Sequence, residues 1–157
     1  MRTGVRVGID VGTVRIGVAR SDFHGMLATP VETVPRVKGA PAGDLARVAH
    51  IVTELDAVEV IVGLPLALSG RHTASTEDAV GFADALAGTV PVPVRLVDER
   101  LSTVSAQAAL RTSGRSTRTQ RPVVDQVAAT IILQHALDTE RASGRPAGAL
   151  VAQTERP

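Results

Sequence analysis

The chain predicts a single mixed α/β domain, led by an antiparallel hairpin and built on a five-stranded sheet flanked by helices. Three observations carry this. Val5, Val7, Ile9 and Val11 alternate with Arg6, Gly8 and Asp10, the period of a strand. Val58-Glu59-Val60-Ile61-Val62 is a short, nearly continuous apolar run, as in a central strand covered on both faces. Between and after such runs stand segments with helical apolar spacing, and that alternation belongs to layered α/β domains.

The elements follow in order. After the first strand, Gly12-Thr13 makes a turn and Ile16-Gly17-Val18-Ala19 returns as the second strand. Leu27 to Val34 predicts a third strand ended by Pro35, and Lys38 to Gly43 is a loop by composition. Leu45, Val48, Ala49, Val52 and Leu55 recur at helical spacing over Asp44 to Leu55. After the central strand, Gly63 to His72 is a loop, and a helix runs from Ala74 or Ser75 to Ala87, closed by Gly88. Val92 to Val97 predicts the fifth strand. Ser102 is a suitable N-cap for a helix reaching about Thr112. Ser113 to Arg121 is polar, basic and loop-like, and Pro122 suits the first position of a last helix running to about Glu140. The domain thus spans 1–140, and 141–157, rich in Gly, Pro and Ala without periodicity, reads as a frayed tail.

Composition narrows the chemistry. At 157 residues the chain has the length of one domain and can bury a core without staples. With no cysteine, disulfides, thiol nucleophiles and thiolate zinc sites are excluded. Lys38 is the only lysine and no Walker-type loop surrounds it, which excludes a P-loop. Phe23 and Phe82 are the only aromatic residues, too few to read single strands by base stacking. No run of 18 apolar residues and no charged-then-apolar leader is present, so no membrane partner is expected and a cytoplasmic location is the default.

Charge is unevenly spread. Asp44 to Glu99 holds nine acidic and three basic residues, a balance of −6. Arg100 to Arg121 holds five arginines and no acid, a balance of +5. An arginine-rich segment is either a solvated surface or a phosphate-contacting one, since guanidinium forks grip phosphate bidentately.

Three carboxylates stand at element ends. Asp10 closes the first strand before Gly12, where ligands of open α/β sheets gather; the same acid could merely cap the hairpin turn. Asp98 and Glu99 follow the fifth strand on opposite faces, so only one can join Asp10. Asp125 lies early in the last helix on the stripe Ala128, Ala129, Ile132 and Ala136, at the rim of the core, where the helix dipole would also favour it. Three converging acids repel unless cations bridge them. Such a cluster suits two Mg²⁺ or Mn²⁺ ions and phosphodiester hydrolysis.

Four segments resemble the YqgF family, also called RuvX: Gly8-Ile9-Asp10-Val11-Gly12-Thr13 through Ala19, Ile61-Val62-Gly63-Leu64-Pro65-Leu66, Val97-Asp98-Glu99-Arg100-Leu101-Ser102-Thr103-Val104, and Val124-Asp125-Gln126-Val127-Ala128-Ala129 through Gln134. The likeness spans about Val5 to Leu137 and keeps the motif order and spacing. It implies an RNase H-like fold related to the RuvC resolvases and a metal-dependent nuclease that matures the 5′ end of pre-16S rRNA. A Holliday-junction resolvase acting on four-way DNA is the alternative. Matched residue by residue, the family's catalytic and metal-binding acids fall on Asp10, Glu99 and Asp125, which selects Glu99 over Asp98. Ala67 stands where relatives often carry Asn, and Arg118 and Arg121 stand in a loop where relatives are often Lys-rich.

Substrate, whether pre-rRNA or branched DNA, would meet Arg115, Arg118 and Arg121, with Arg15 and His72 nearer the acids. His72 is better explained as solvated loop, and Arg15 equally well as a structural ion pair. A resolvase cutting two strands would call for a homodimer. Two other classes share features: actin-like nucleotide-binding proteins use an Asp-x-Gly-Thr turn but need two such halves, and a non-catalytic nucleic-acid-binding protein would not need all three acids.

Overall fold

The computed structural model describes residues 2–37, 43–100 and 117–151, with 117–125 given as helical backbone. The elements are β1 (Arg6–Val11), β2 (Arg15–Ser21), β3 (Ala28–Pro35), α1 (Gly43–Glu54), β4 (Glu59–Leu64), α2 (Ala74–Ala87), β5 (Val94–Asp98), α3 (Thr117–Ser143) and β6 (Ala149–Leu150). The sheet order is β3-β2-β1-β4-β5-β6. The hairpin-led half, β1 to β3, is antiparallel, β1, β4 and β5 are parallel, and β6 adds antiparallel to β5.

Strand periodicity sorts the two faces. Val7, Ile9, Val11, Ile16, Val18, Val60, Val62 and Val94 pack beneath α1 and α2, joined by Val48, Ile51, Phe82 and Leu86. Ala19, Ala28, Ile61 and Val97 face α3 through Ala129, Ile132, Leu133 and Ala136. Gly8 and Ala19 present little or no side chain to α3, so the helix sits close: a Cβ on Gly8 would lie 2.6 Å from Leu133 Cβ and 3.0 Å from the Ala129 carbonyl oxygen. Thr73 caps α2 in a reciprocal box with Thr76, whose hydroxyl also donates to the Pro65 carbonyl.

Three expectations are corrected. Among the described residues the sheet has six strands, because Ala149 and Leu150 pair with Leu96 and Arg95. The chain beyond Arg141 carries structure: α3 continues to Ser143, Ala147 is buried in the cluster under α3, and Val151 is buried in the cluster under α1 and α2. Two residues of strand cannot announce themselves by alternation; the unfilled edge of β5 recruits them. Residues 152–157 lie outside the described residues. α3 begins at Thr117, five residues before Pro122, so Arg118 and Arg121 are helical rather than in a loop and Pro122 lies inside the helix. An interior proline removes one helical hydrogen bond, a loss a long packed helix absorbs. The helix expected over Ser102 to Thr112 lies outside the described residues. Among the described residues, no helix is long and apolar enough to cross a membrane.

Candidate active site

Sheet register brings two of the expected acids to one face. β1 and β4 pair Gly8 with Ile61 and Ile9 with Val62, so the next step sets Asp10 beside Gly63. β4 and β5 pair Gly63 with Val97 and Leu64 with Asp98. Alternation then sends Gly8, Asp10, Ile61, Gly63, Val97 and Glu99 to the α3 face, and the packing of Ile61 and Val97 on α3 agrees. Asp98, exposed at the end of β5, is held by Arg100 and does not lie over Gly63.

Glu99 folds back toward the sheet. Its N–H donates to the Leu64 carbonyl at 3.3 Å, and its Oε2 is buried. That oxygen occupies the space a Cβ on residue 63 would need, where Ile132 Cδ1 would also be only 2.7 Å away. Gly63 is thus a floor without a side chain, over which the Glu99 carboxylate lies next to the strand position of Asp10. This glycine escaped the sequence reading of the site, where it served only as part of a motif; its place after the apolar run was the available signal.

α3 supplies the third wall. It runs antiparallel to β1: Glu140 accepts from Arg6 Nη2 at 3.2 Å, and Ala129 and Leu133 cover Gly8. Toward its N-terminus, Gln126 Nε2 donates to Thr33 Oγ1 at 2.9 Å. Thr33 pairs with Gly17, and Gly17 with Asp10, so the helical turn carrying Gln126 and Asp125 stands over the row of the sheet that ends at Asp10. The Asp125 side chain lies outside the described residues. Among the described residues no three His, Asp or Glu side chains form a metal-holding group. Asp10 and Glu99 nevertheless fit hard divalent cations as oxygen donors beside a glycine-floored cradle.

The other expected residues scatter around this centre. Arg15 opens β2 beyond the turn that follows Asp10 and is half-buried. His72 is exposed and bridges to Leu66, closing a small loop in which Ala67 N–H donates to the Arg71 carbonyl at 3.0 Å. Arg118 and Arg121 lie in the first turns of α3, and Arg115 falls outside the described residues. Asp98 is engaged by Arg100, whose Nε donates to its oxygens at 3.0 and 2.9 Å, and Arg100 Nη1 reaches the Leu68 carbonyl at 3.2 Å. The Arg100 guanidinium holds the Asp98 carboxyl below its ordinary value. With Leu68 and His135 these two line a cavity of about 440 Å³ beside the end of β5. Arg100 therefore ties the 66–72 loop to the strand that delivers Glu99, a link that sequence spacing did not suggest.

Comparison with known proteins adds a family and a fold. A family model described as "RuvX: Holliday junction resolvase" matches residues 4–139. A protein of Clavibacter michiganensis subsp. michiganensis is 67% identical over 153 residues, covering 96% of this chain and 93% of its own. One of Leifsonia xyli subsp. xyli is 70% identical over 148 residues, covering 94% of each chain. Both carry the name "Putative pre-16S rRNA nuclease". Among solved structures, Thermus thermophilus RuvC in complex with Holliday junction substrate is similar in fold, with a TM-score of 0.58 at 21% identity, covering 91% of this chain and 99% of that one.

Proposed function

Because the chain belongs to the RuvX family, we propose that it is a nuclease that hydrolyses phosphodiester bonds in the 5′ region of pre-16S rRNA, with Asp10, Glu99 and Asp125 as its catalytic acids. The names of its close relatives support the substrate. The observation that carries the site is the Glu99 carboxylate lying over Gly63 with its Oε2 buried, beside the strand position of Asp10 and on the face that α3 covers. Such acids have little reason to gather there for stability, since burial and mutual repulsion both oppose it.

Asp10, Glu99 and Asp125 would hold Mg²⁺ or Mn²⁺, hard ions that prefer carboxylate oxygens. When bound there, such ions would supply the Lewis-acid charge that phosphodiester hydrolysis needs. The chain's own contributions are positional. β1 and β5 present Asp10 and Glu99 from rigid strands, Gly63 leaves room between them, and Ile132 walls the inner side. Arg15, His72, Arg115, Arg118 and Arg121 serve to bind flanking phosphates around an otherwise acidic centre.

The deciding experiment is a side-by-side cleavage assay on a pre-16S rRNA fragment and a four-way DNA junction in Mg²⁺ and in Mn²⁺. Cleavage of the RNA, lost on chelation and in Asp10→Asn, Glu99→Gln and Asp125→Asn, is the expected result, with each variant folded as judged by circular dichroism. Full activity of Asp125→Asn would sink the assignment of that acid. Preferential cutting of the junction by a dimer would favour the resolvase reading, which the family description keeps in view.

A further inference from the structure

The turn that follows Asp10 is held from outside the site. Arg36, the first residue past β3, donates its backbone N–H to the Val14 carbonyl at 2.9 Å. Its Nη1 donates to the Gly12 carbonyl at 2.8 Å. Both ends of the Gly12–Val14 turn are thus bonded to one residue. The guanidinium is itself fixed by two helices: Nε donates to Asp44 Oδ2 of α1 at 2.9 Å, and Nη1 and Nη2 donate to the two oxygens of Asp78 of α2 at 2.8 and 3.0 Å. It also stands 5.8 Å from the centroid of the Phe82 ring. Asp44 is buried and only 19% of the Arg36 side chain is exposed.

This arrangement is unsuited to substrate. Two carboxylates on one guanidinium leave a net negative group, which repels phosphate. Asp78 foremost, with Asp44, holds Arg36 above the ordinary arginine value, so the guanidinium stays charged. What the guanidinium does reach is backbone, and that backbone separates Asp10 from Arg15. A planar fork with all its partners in place is stiff. Gly12 is equally constrained, because its N–H donates to the Arg15 carbonyl at 2.9 Å and a Cβ there would lie 2.6 Å from that same oxygen.

We propose that Arg36 is a positioning residue for Asp10: it clamps the β1–β2 turn to α1 and α2, fixing the end of the strand that presents the acid. The inference rests on the nuclease reading of Asp10. Arg36 acts through the turn, in contact with neither substrate nor ion.

The test compares Arg36→Gln, Asp78→Asn and the double variant with the wild type in Mg²⁺, by steady-state cleavage of the pre-rRNA fragment and by exchange of the Gly12 amide proton in NMR. Arg36→Gln should lower kcat about 10- to 100-fold, the usual cost of a small misplacement, with KM within about twofold. Its Gly12 amide should exchange about tenfold faster or more. Asp78→Asn should move both quantities in the same direction by less, and the double variant should be no worse than Arg36→Gln, because both act through one contact. A folded Arg36→Gln with wild-type kcat or unchanged Gly12 exchange overturns the proposal. If Arg36→Gln does not fold, Asp78→Asn decides by the same two measurements. A wild type inactive on every nucleic acid would remove the nuclease reading itself, and the exchange comparison would still uphold or overturn the clamp.

Discussion

Gly63 shows how one missing side chain makes a site. It lies in the middle of the sheet, between the strands that carry Asp10 and Glu99, and the Glu99 carboxylate uses the volume its Cβ would fill. Gly63→Ala should therefore act on the reaction more than on the fold. The two atoms in the way, Glu99 Oε2 and Ile132 Cδ1, are ends of flexible side chains that can shift, so the cost in stability should be about 1–3 kcal/mol, typical of mild overpacking. Cleavage should fall to the level of Glu99→Gln. Thermal melting and a cleavage assay on the same preparation check this; an active, stable Gly63→Ala would mean that the Glu99 carboxylate does not work from over residue 63. The residue was legible in sequence only as punctuation after an apolar run, since what it accommodates comes from 36 positions away.

At the scale of elements, the far end of the sheet is joined by buried charge. Glu140 near the end of α3 accepts from Arg2 at 2.6 and 3.1 Å and from Arg6 at 3.2 Å. Glu59 at the start of β4 accepts from Arg2 at 3.1 Å and from Arg95 of β5 at 3.0 Å. Arg6, Glu59 and Glu140 are almost wholly buried. Arg2 foremost holds the Glu140 carboxyl below its usual value of 4.5, with help from Arg6. A carboxyl depressed in the folded state contributes stability above its unfolded value and loses it as pH falls through the folded value. Glu140→Gln should cost about 3 kcal/mol at pH 7, the low end for one half of a buried pair because Arg2 is 42% exposed. The gap between wild type and variant should close below about pH 4.5. Melting temperatures from pH 7 to pH 3 measure it; a gap independent of pH would show that shape, not charge, binds α3 to the strands. Alternation correctly made β1 a strand, yet it could not say that Arg6 is buried, because its partner lies 134 residues away.

Over the whole molecule the charge is polarised along the chain, with a balance of −6 over Asp44–Glu99 followed by +5 over Arg100–Arg121. An acidic centre cannot receive a polyanion unaided, and with only Phe23 and Phe82 the chain has no stacking platform to add affinity. Arginine contacts to backbone phosphate remain. If Arg115, Arg118 and Arg121 make three such contacts, log K should fall with log salt at a slope of roughly −2 to −3. Replacing all three with Ser should weaken binding similarly for unrelated sequences and flatten the slope, with little change in melting temperature. Equilibrium titrations across a salt series give the answer, and an unchanged slope in the triple variant would make the segment mere solvated surface.

Local pattern alone determined the strands from β1 to β5, the helices α1 and α2, the Gly88 that closes α2 and the candidate acids, because each depends on neighbours a few residues apart. Asp10 before Gly12, and Asp98 beside Glu99, were visible as acids at strand ends. The tertiary structure decided what pairing across distance controls. It laid Glu99 over Gly63, beside the strand position of Asp10, and tied Asp98 to Arg100, since strand order and register set which residues meet. It recruited Ala149 and Leu150 to an open sheet edge and drew Val151 into the core. It also closed Arg36 onto Gly12, Asp44 and Asp78, three partners that no periodicity connects, since their proximity exists only once α1 and α2 have packed on the sheet.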